Sequence, residues 1–147
     1  MTNDREERFP LKRELLIVLG IFLVVGCFMT WNARMAVGNR LFPDPDDAMR
    51  LVQVRDWLAG QNWFDVTQYR LNSPAGGPMH WSRLVDLPIA AVILMARPFC
   101  SEFGAESAAL ILVPLLTLGI TMLLVDRIGA KLLNGSAPLL AVIATPA

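Results

Sequence analysis

The feature that most constrains this sequence is an apolar run without charge near its start, Leu15 to Trp31, LLIVLGIFLVVGCFMTW. About 17 residues at about 1.5 Å each just reach across the hydrocarbon core of a bilayer, and a tryptophan suits the membrane–water interface. A second run without charge covers residues 107–125. The apolar residues thus come in blocks rather than in amphipathic stripes. We therefore predict an all-α membrane protein with transmembrane helices at 15–31 and 107–125.

Composition excludes several classes of function. The formal net charge is zero, and no basic patch alternates with aromatic residues, so we expect no nucleic-acid partner. The two cysteines, Cys27 and Cys100, are far apart and lack the spacing of a metal site, so we interpret both as packing residues. The sequence contains no P-loop, dinucleotide fingerprint, HExxH or GxSxG motif.

The charges flanking the apolar runs predict the topology. Residues 1–14 carry four basic residues and should be cytoplasmic, as should the short basic loop at 126–136. Residues 137–147 begin a third apolar segment, which we expect to be a transmembrane helix cut short by the end of the chain. A signal peptide ending in a lipoprotein-type box at 24–27 is the competing interpretation of the first run. The acid-rich leader and the later apolar runs argue against it.

Residues 32–106 form the predicted external loop, which contains two helices. Asp44 is a suitable N-cap, Pro45 fits the first helical position and Gly60 fits the stop, so we predict an amphipathic helix over 44–60. Residues 84–96 are apolar but too few to span a bilayer comfortably, which favours an interfacial helix. If this segment crossed the membrane, the basic loop at 126–136 would lie outside.

Three carboxylates lie close together at the start of the first loop helix: Asp44, Asp46 and Asp47. Such residues stabilise a helix N-terminus, and Asp46 and Asp47 could form simple surface pairs with Arg50. Alternatively, they hold a divalent cation, or they orient or deprotonate an acceptor nucleophile. The sequence leaves these alternatives open.

A second candidate motif, Pro78 to Arg83, precedes the interfacial helix and contains His80, the one histidine of the chain. Trp81 and Arg83 are typical of a membrane interface, where they contact lipid headgroups. The functional alternative is recognition of a lipid phosphate, with Arg83 as a bidentate donor and His80 as a further hydrogen-bond partner. The nearby residues Tyr69, Arg70 and Asn72 could line the same cleft.

Asp46 is followed, at a spacing of about ten residues, by the helix end Arg55-Asp56-Trp57-Leu58-Ala59-Gly60. In this pattern the sequence resembles the GT-C glycosyltransferases, above all bacterial single-subunit oligosaccharyltransferases. It also resembles the aminoarabinose transferases and protein mannosyltransferases, whose first loop carries an acidic pair and a later histidine motif. Asp46-Asp47 corresponds to the acidic pair, and Met79-His80-Trp81 corresponds loosely to the later motif.

The resemblance implies a partial GT-C fold, holding two transmembrane helices and part of a third out of about a dozen. It implies transfer of a sugar from a polyprenyl-phosphate or -pyrophosphate carrier to an unknown acceptor on the external face of a bacterial inner membrane. Asp46 would bind a metal ion such as Mg²⁺ or Mn²⁺ or activate the acceptor, with Asp47 or Asp44 in support. We expect the chain alone to be inactive.

Two other classes of protein remain open. One is a small non-enzymatic multi-span membrane protein whose acidic external loop docks a partner. The other is part of a transporter, for which Asp86 is the one candidate for an ionisable residue within the membrane. A reading frame that continues past Ala147 into further apolar segments would favour the enzyme.

Overall fold

The structure, a computed structural model, describes residues 8–42 and 44–132 and is mainly helical, at 72%. In chain order its elements are α1 (Arg8–Asn39), α2 (Pro45–Leu58), β1 (Thr67–Gln68), β2 (Gly77–Pro78), α3 (Arg83–Ala96) and α4 (Glu102–Leu132). The two short strands pair antiparallel, with Thr67 opposite Pro78 and Gln68 opposite Gly77. The high helix content confirms the prediction that the protein is predominantly helical.

Two helices are long and apolar enough to cross a membrane: the segment Leu15–Asn39 of α1 and the segment Glu102–Lys131 of α4. By length and composition these helices support association with a membrane. Both extend beyond the predicted runs at 15–31 and 107–125, because polar residues at the ends of an apolar run do not by themselves stop a helix. The turn after α1 comes only at Arg40, which has a positive φ of 54°.

The chain divides into two compact units. The first combines the described parts of Met1–Asn32 and Pro114–Ala147. Within it, α1 and α4 approach closely at two glycines: a Cβ placed at Gly26 would lie 3.2 Å from Leu115 Cδ2, and one at Gly119 would lie 3.3 Å from Phe22 Cε2. Small residues at such contacts are typical of helix packing in membranes.

The second unit, Ala33–Val113, contains α2, the β-hairpin, α3 and the adjoining ends of α1 and α4. Three of its helices supply the buried apolar core, which consists of Leu51 and Val54 from α2, Ala90 and Ile93 from α3, and Ala105 and Ala109 from α4. Each pair is spaced by three or four residues, so each helix places one face in this core. This packing positions α2 and α3, which carry most of the candidate site.

The ends of α2 lie where turn and cap chemistry predicts them. The Asp44 side chain accepts a hydrogen bond from the Asp46 amide at 2.9 Å, Pro45 occupies the first turn, and Gly60 follows the helix with a φ of 111°. Helix α3 begins at Arg83, one residue before the predicted start, and Ser82 caps it. Residues 126–132, predicted as loop, belong to α4. The third apolar segment at 137–147 and residues 1–7 of the predicted cytoplasmic segment lie outside the described residues.

Candidate functional site

The acidic residues at the start of α2 are exposed to solvent. Asp44 caps the helix, whereas the side chains of Asp46 and Asp47 form no ion pair within residues 8–42 and 44–132. Their charges lie at the positive end of the α2 dipole, which stabilises them there. The two carboxylates are therefore held by a rigid helix and are free to meet a cation or a substrate.

Arg50 does not pair with these aspartates, although it lies one helical turn after them. Its Nη1 donates instead to Oδ1 of Asp86 on α3 at 3.0 Å, and its guanidinium carbon lies 4.7 Å from the centre of the Trp81 ring. The Trp81 ring in turn lies 5.6 Å from the ring of His80, an exposed residue. Arg50 thus joins the two candidate motifs, the start of α2 and the segment before α3, which the sequence alone did not connect.

The Asp86 clasp, formed by Arg50, Gln53, Arg83 and Asp86, holds α2 against α3. Asp86 is fully buried, and besides Arg50 its carboxylate accepts from Gln53 Nε2 at 3.0 Å and lies 3.7 Å from Arg83 Nη1. Burial raises the pKa of Asp86, while the two guanidinium groups and the amide favour its ionised form. The clasp leaves the other guanidinium nitrogens of Arg50 without a hydrogen-bond partner in the described chain.

Arg83, predicted to bind substrate, is buried, with 4% of its surface exposed. Its Nη1 donates to the Gln53 carbonyl at 3.0 Å, and its Nη2 donates to Gln61 Oε1 at 2.9 Å and to the Asp65 carbonyl at 2.6 Å. These bonds tie the start of α3 to α2 and to the following loop. The contacts favour a structural role for Arg83, whereas Arg50, which lies against the Trp81 ring, keeps guanidinium nitrogens that are not used in hydrogen bonds with the described residues.

Arg70, the third predicted substrate-binding residue, is exposed and forms a bidentate pair with Asp56, with N–O distances of 2.6 and 3.0 Å. The hydrogen bonds raise the pKa of Arg70. The pair borders an open cleft of about 450 Å³, which is also lined by Ala59, Gln61 and Tyr69. Of the residues predicted to share one cleft, Arg70 and Tyr69 lie here, whereas His80, Arg83 and Asn72 do not line it.

Tyr69 is held in this cleft by Asp65. The Tyr69 hydroxyl donates to Asp65 Oδ2 at 3.2 Å, and the Thr67 amide donates to Asp65 Oδ1 at 3.0 Å. The bonds from Thr67, and to a smaller extent the one from Tyr69, lower the pKa of Asp65 below its usual value. Asp65 thus holds Tyr69 at the cleft, and the same hydrogen bonds favour the ionised form of its carboxyl group.

A second clasp, formed by Arg40, Arg55 and Glu106, was not predicted from the sequence. Glu106 at the start of α4 accepts from Arg55 Nη2 at 2.6 Å and from Arg40 Nη2 at 3.0 Å, and only 3% of it is exposed. Arg40 also donates to the Phe103 carbonyl and lies 4.0 Å above the Phe103 ring. The Glu106 clasp fastens the ends of α1 and α2 to α4. The available sequence signal was an isolated acid at the edge of an apolar run.

Within the described ranges, no group of three or more histidine, cysteine, aspartate or glutamate side chains is placed to hold a metal ion. Since Asp44 is used as a cap, Asp46 and Asp47 are the two carboxylates that remain available at the start of α2. A hard cation such as Mg²⁺ commonly binds one or two carboxylates and completes its shell with water and substrate phosphate oxygens. The described residues therefore fit part of such a shell.

No protein-family model, curated protein or solved structure matches this chain.

Proposed function

We propose that the chain is part of an integral membrane glycosyltransferase of the GT-C type. It would transfer a sugar from a polyprenyl-phosphate or -pyrophosphate carrier to an acceptor at the external face of the membrane. The proposal is carried by the exposed, unpaired carboxylates of Asp46 and Asp47. They lie in the second unit, Ala33–Val113, and the chain on either side of it includes a helix apolar enough to span a membrane. A lipid-linked substrate and a catalytic carboxylate would meet at such a place.

Each candidate residue has a chemical role in this proposal. In the reaction the bond between the sugar C1 and the carrier phosphate oxygen breaks, and a bond from the acceptor to C1 forms. Asp46 takes the acceptor proton; alternatively, Asp46 and Asp47 would hold a divalent cation, which would supply charge neutralisation at the leaving phosphate. The unused nitrogens of Arg50, together with His80, donate hydrogen bonds to that phosphate. Arg70 and Tyr69 line a cleft beside α2 that is suitable for a polar ligand.

The test is a transfer assay in membranes that contain the protein as its complete reading frame encodes it, supplied with a radiolabelled polyprenyl-linked sugar. Asp46→Asn and Asp46→Ala should each reduce transfer by about 100-fold or more, as expected for loss of a general base. The amount of protein in the membrane should stay unchanged. Asp44→Asn is the matched control, because asparagine caps a helix as well as aspartate does. If both Asp46 variants keep activity, the aspartate only starts a helix and the proposal fails.

The alternative is a non-enzymatic membrane protein whose acidic helix start docks a partner. It is favoured by three arginines of the second unit, Arg55, Arg70 and Arg83. Each of them donates to an acceptor within the chain itself and so is not left to bind a substrate phosphate. On this alternative, the complete protein shows no transfer with any lipid-linked sugar. Asp46→Asn and Asp47→Asn would then weaken co-purification of a basic partner, whereas substitution of the exposed Glu102, which lies on α4, would not.

A further inference from the structure

The cleft beside the end of α2 is lined by an aromatic ring, an ion pair, an amide and a small side chain: Tyr69, Arg70 with Asp56, Gln61 and Ala59. Its volume of about 450 Å³ lies within the range of about 300–1,000 Å³ that is typical of small-molecule sites. Gln61 forms part of the rigid wall, because its amide donates to the Thr67 carbonyl at 2.8 Å and accepts from Arg83 at 2.9 Å. Tyr69 and the Arg70–Asp56 pair are therefore the groups that a ligand would meet.

Tyr69 is held in place while much of it stays exposed. Its hydroxyl donates to Asp65 Oδ2 at 3.2 Å. A Cβ placed at Gly76, where φ is 80°, would lie 3.2 Å from Tyr69 Cδ1, so the ring rests against a backbone that carries no side chain. The exposed fraction of Tyr69 is nevertheless 58%. An aromatic ring that is fixed before binding loses little conformational entropy when a ligand covers it.

The ion pair beside this ring has no net charge but keeps unused donors and acceptors. Asp56 uses two of the five N–H donors of Arg70, at 2.6 and 3.0 Å, and each carboxylate oxygen of Asp56 has a further lone pair. An anionic ligand offers acceptors alone, and Asp56 would repel it. A hydroxyl group can accept from Arg70 and donate to Asp56 at the same time. The pair therefore favours a neutral, hydroxylated ligand.

We propose that this cleft binds a neutral sugar ring, which packs against Tyr69 and shares neighbouring hydroxyl groups between Arg70 and Asp56. The face of an aromatic ring carries partial negative charge, and a pyranose presents C–H groups of weakly positive charge on the side of its ring. Its hydroxyl groups are both donors and acceptors, as the ion pair requires. An apolar ligand would leave the ion pair unused, and a phosphate would meet the Asp56 carboxylate.

The sugar subsite is distinct from the carboxylates at the start of α2. Asp56 follows Asp46 by ten residues, or about 15 Å along the helix axis at about 1.5 Å per residue. A ring bound in the cleft is therefore not the ring whose C1 would react beside Asp46. On the proposed function, the subsite would hold a further unit of a substrate glycan. The binding inference rests on the cleft alone and can hold even where no sugar is transferred.

The experiment measures saturation-transfer difference NMR on the full chain in phosphatidylcholine nanodiscs that are free of glycoside detergent. The probes are the methyl glycosides of glucose, galactose, mannose and N-acetylglucosamine. Tyr69→Ala removes the ring, Tyr69→Phe keeps the ring without its hydroxyl, and Arg70→Ala removes the cation. Phe64→Ala is the matched control, because Phe64 is an aromatic residue that is 89% exposed and does not line the cleft. Circular dichroism of each variant checks that the helices are retained.

The expected result is saturation of the ring protons of at least one glycoside, kept in Tyr69→Phe and Phe64→Ala and several-fold weaker in Tyr69→Ala and Arg70→Ala. Added inorganic phosphate should leave the signal unchanged. No signal from any glycoside, or an equal signal in Tyr69→Ala, would overturn the proposal. Displacement by phosphate would overturn it as well, because the cleft would then be an anion site. A stronger signal from the neutral amide N-acetylglycinamide would identify a peptide group as the ligand instead.

Discussion

At the scale of single residues, the pairing of Arg50 with Asp86 shows that burial, more than closeness in sequence, decides which carboxylate an arginine binds. Asp46 and Asp47 lie four and three residues before Arg50, where an exposed helical pair contributes about 0.3–0.5 kcal/mol. Asp86 is fully buried, and a buried carboxylate left without its partner costs about 3–5 kcal/mol. The larger of these two energies accounts for the contact of Arg50 with Asp86. The aspartates at the start of α2 are left unpaired as a result.

The same comparison predicts the effect of removing the buried charge. Asp86→Asn leaves the positive charges of Arg50 and Arg83 without a counter-ion and should lower the free energy of unfolding by about 3–5 kcal/mol. Asp56→Asn is the matched control, because Arg70 of the Arg70–Asp56 pair is exposed and solvent screening leaves such a pair a much smaller contribution than a buried one. Thermal unfolding in detergent, followed by circular dichroism, measures both. Equal losses would mean that the Asp86 clasp is not a buried ion pair.

At the scale of elements, the sequence predicts the ends of the two short helices α2 and α3 better than the ends of α1 and α4 or the contacts between helices. The start of α2 follows from Asp44 and Pro45 and its termination from Gly60, because capping and turn chemistry are local. The partners of Arg83 and Glu106 could not be predicted, because they lie on elements that are distant in sequence and meet only after packing. For the same reason, the sequence indicated the candidate acids at the start of α2 but not the contact of Arg50 with Trp81 in the second motif.

The loop that leads into the hairpin should respond to acid. The pKa of Asp65 is lowered by the amide of Thr67 and the hydroxyl of Tyr69. A carboxylate with a lowered pKa contributes stability above its unfolded pKa of about 3.9, and this stability is lost as the pH falls through the folded value. Tyr69 is the one tyrosine of the chain, so its ring signals in NMR report the change directly.

The expected result is that the Tyr69 ring signals stay constant from neutral pH down to about pH 4 and shift only below it. In Asp65→Asn the shift should be absent, because the side chain no longer titrates. A shift of equal size in that variant would assign the effect to another carboxylate.

At the scale of the whole molecule, the two apolar helices and the charges at their ends predict a topology. The basic residues Arg127 and Lys131 lie at the end of α4, and we expect them to be cytoplasmic and the loop between α1 and α4 to be external. In intact cells, with Cys27 and Cys100 replaced by serine, a membrane-impermeant thiol reagent should label Ser73→Cys. It should label Lys131→Cys only after the membrane is permeabilised. Labelling of both sites from outside would show that α4 does not cross.

Between Lys12 and Lys131 the sequence has no other lysine, and arginine supplies the cationic side chains of both clasps. The Asp86 and Glu106 clasps also use the forked geometry of the guanidinium group, which donates to several acceptors at once. A lysine loses its proton near pH 10.4, whereas arginine keeps its proton beyond about pH 12, and Glu106 raises the pKa of Arg55 further. Ion pairs built on lysine would lose their positive charge in strongly alkaline solution. The arginine contacts that fasten α2 to its neighbours should keep their charges there.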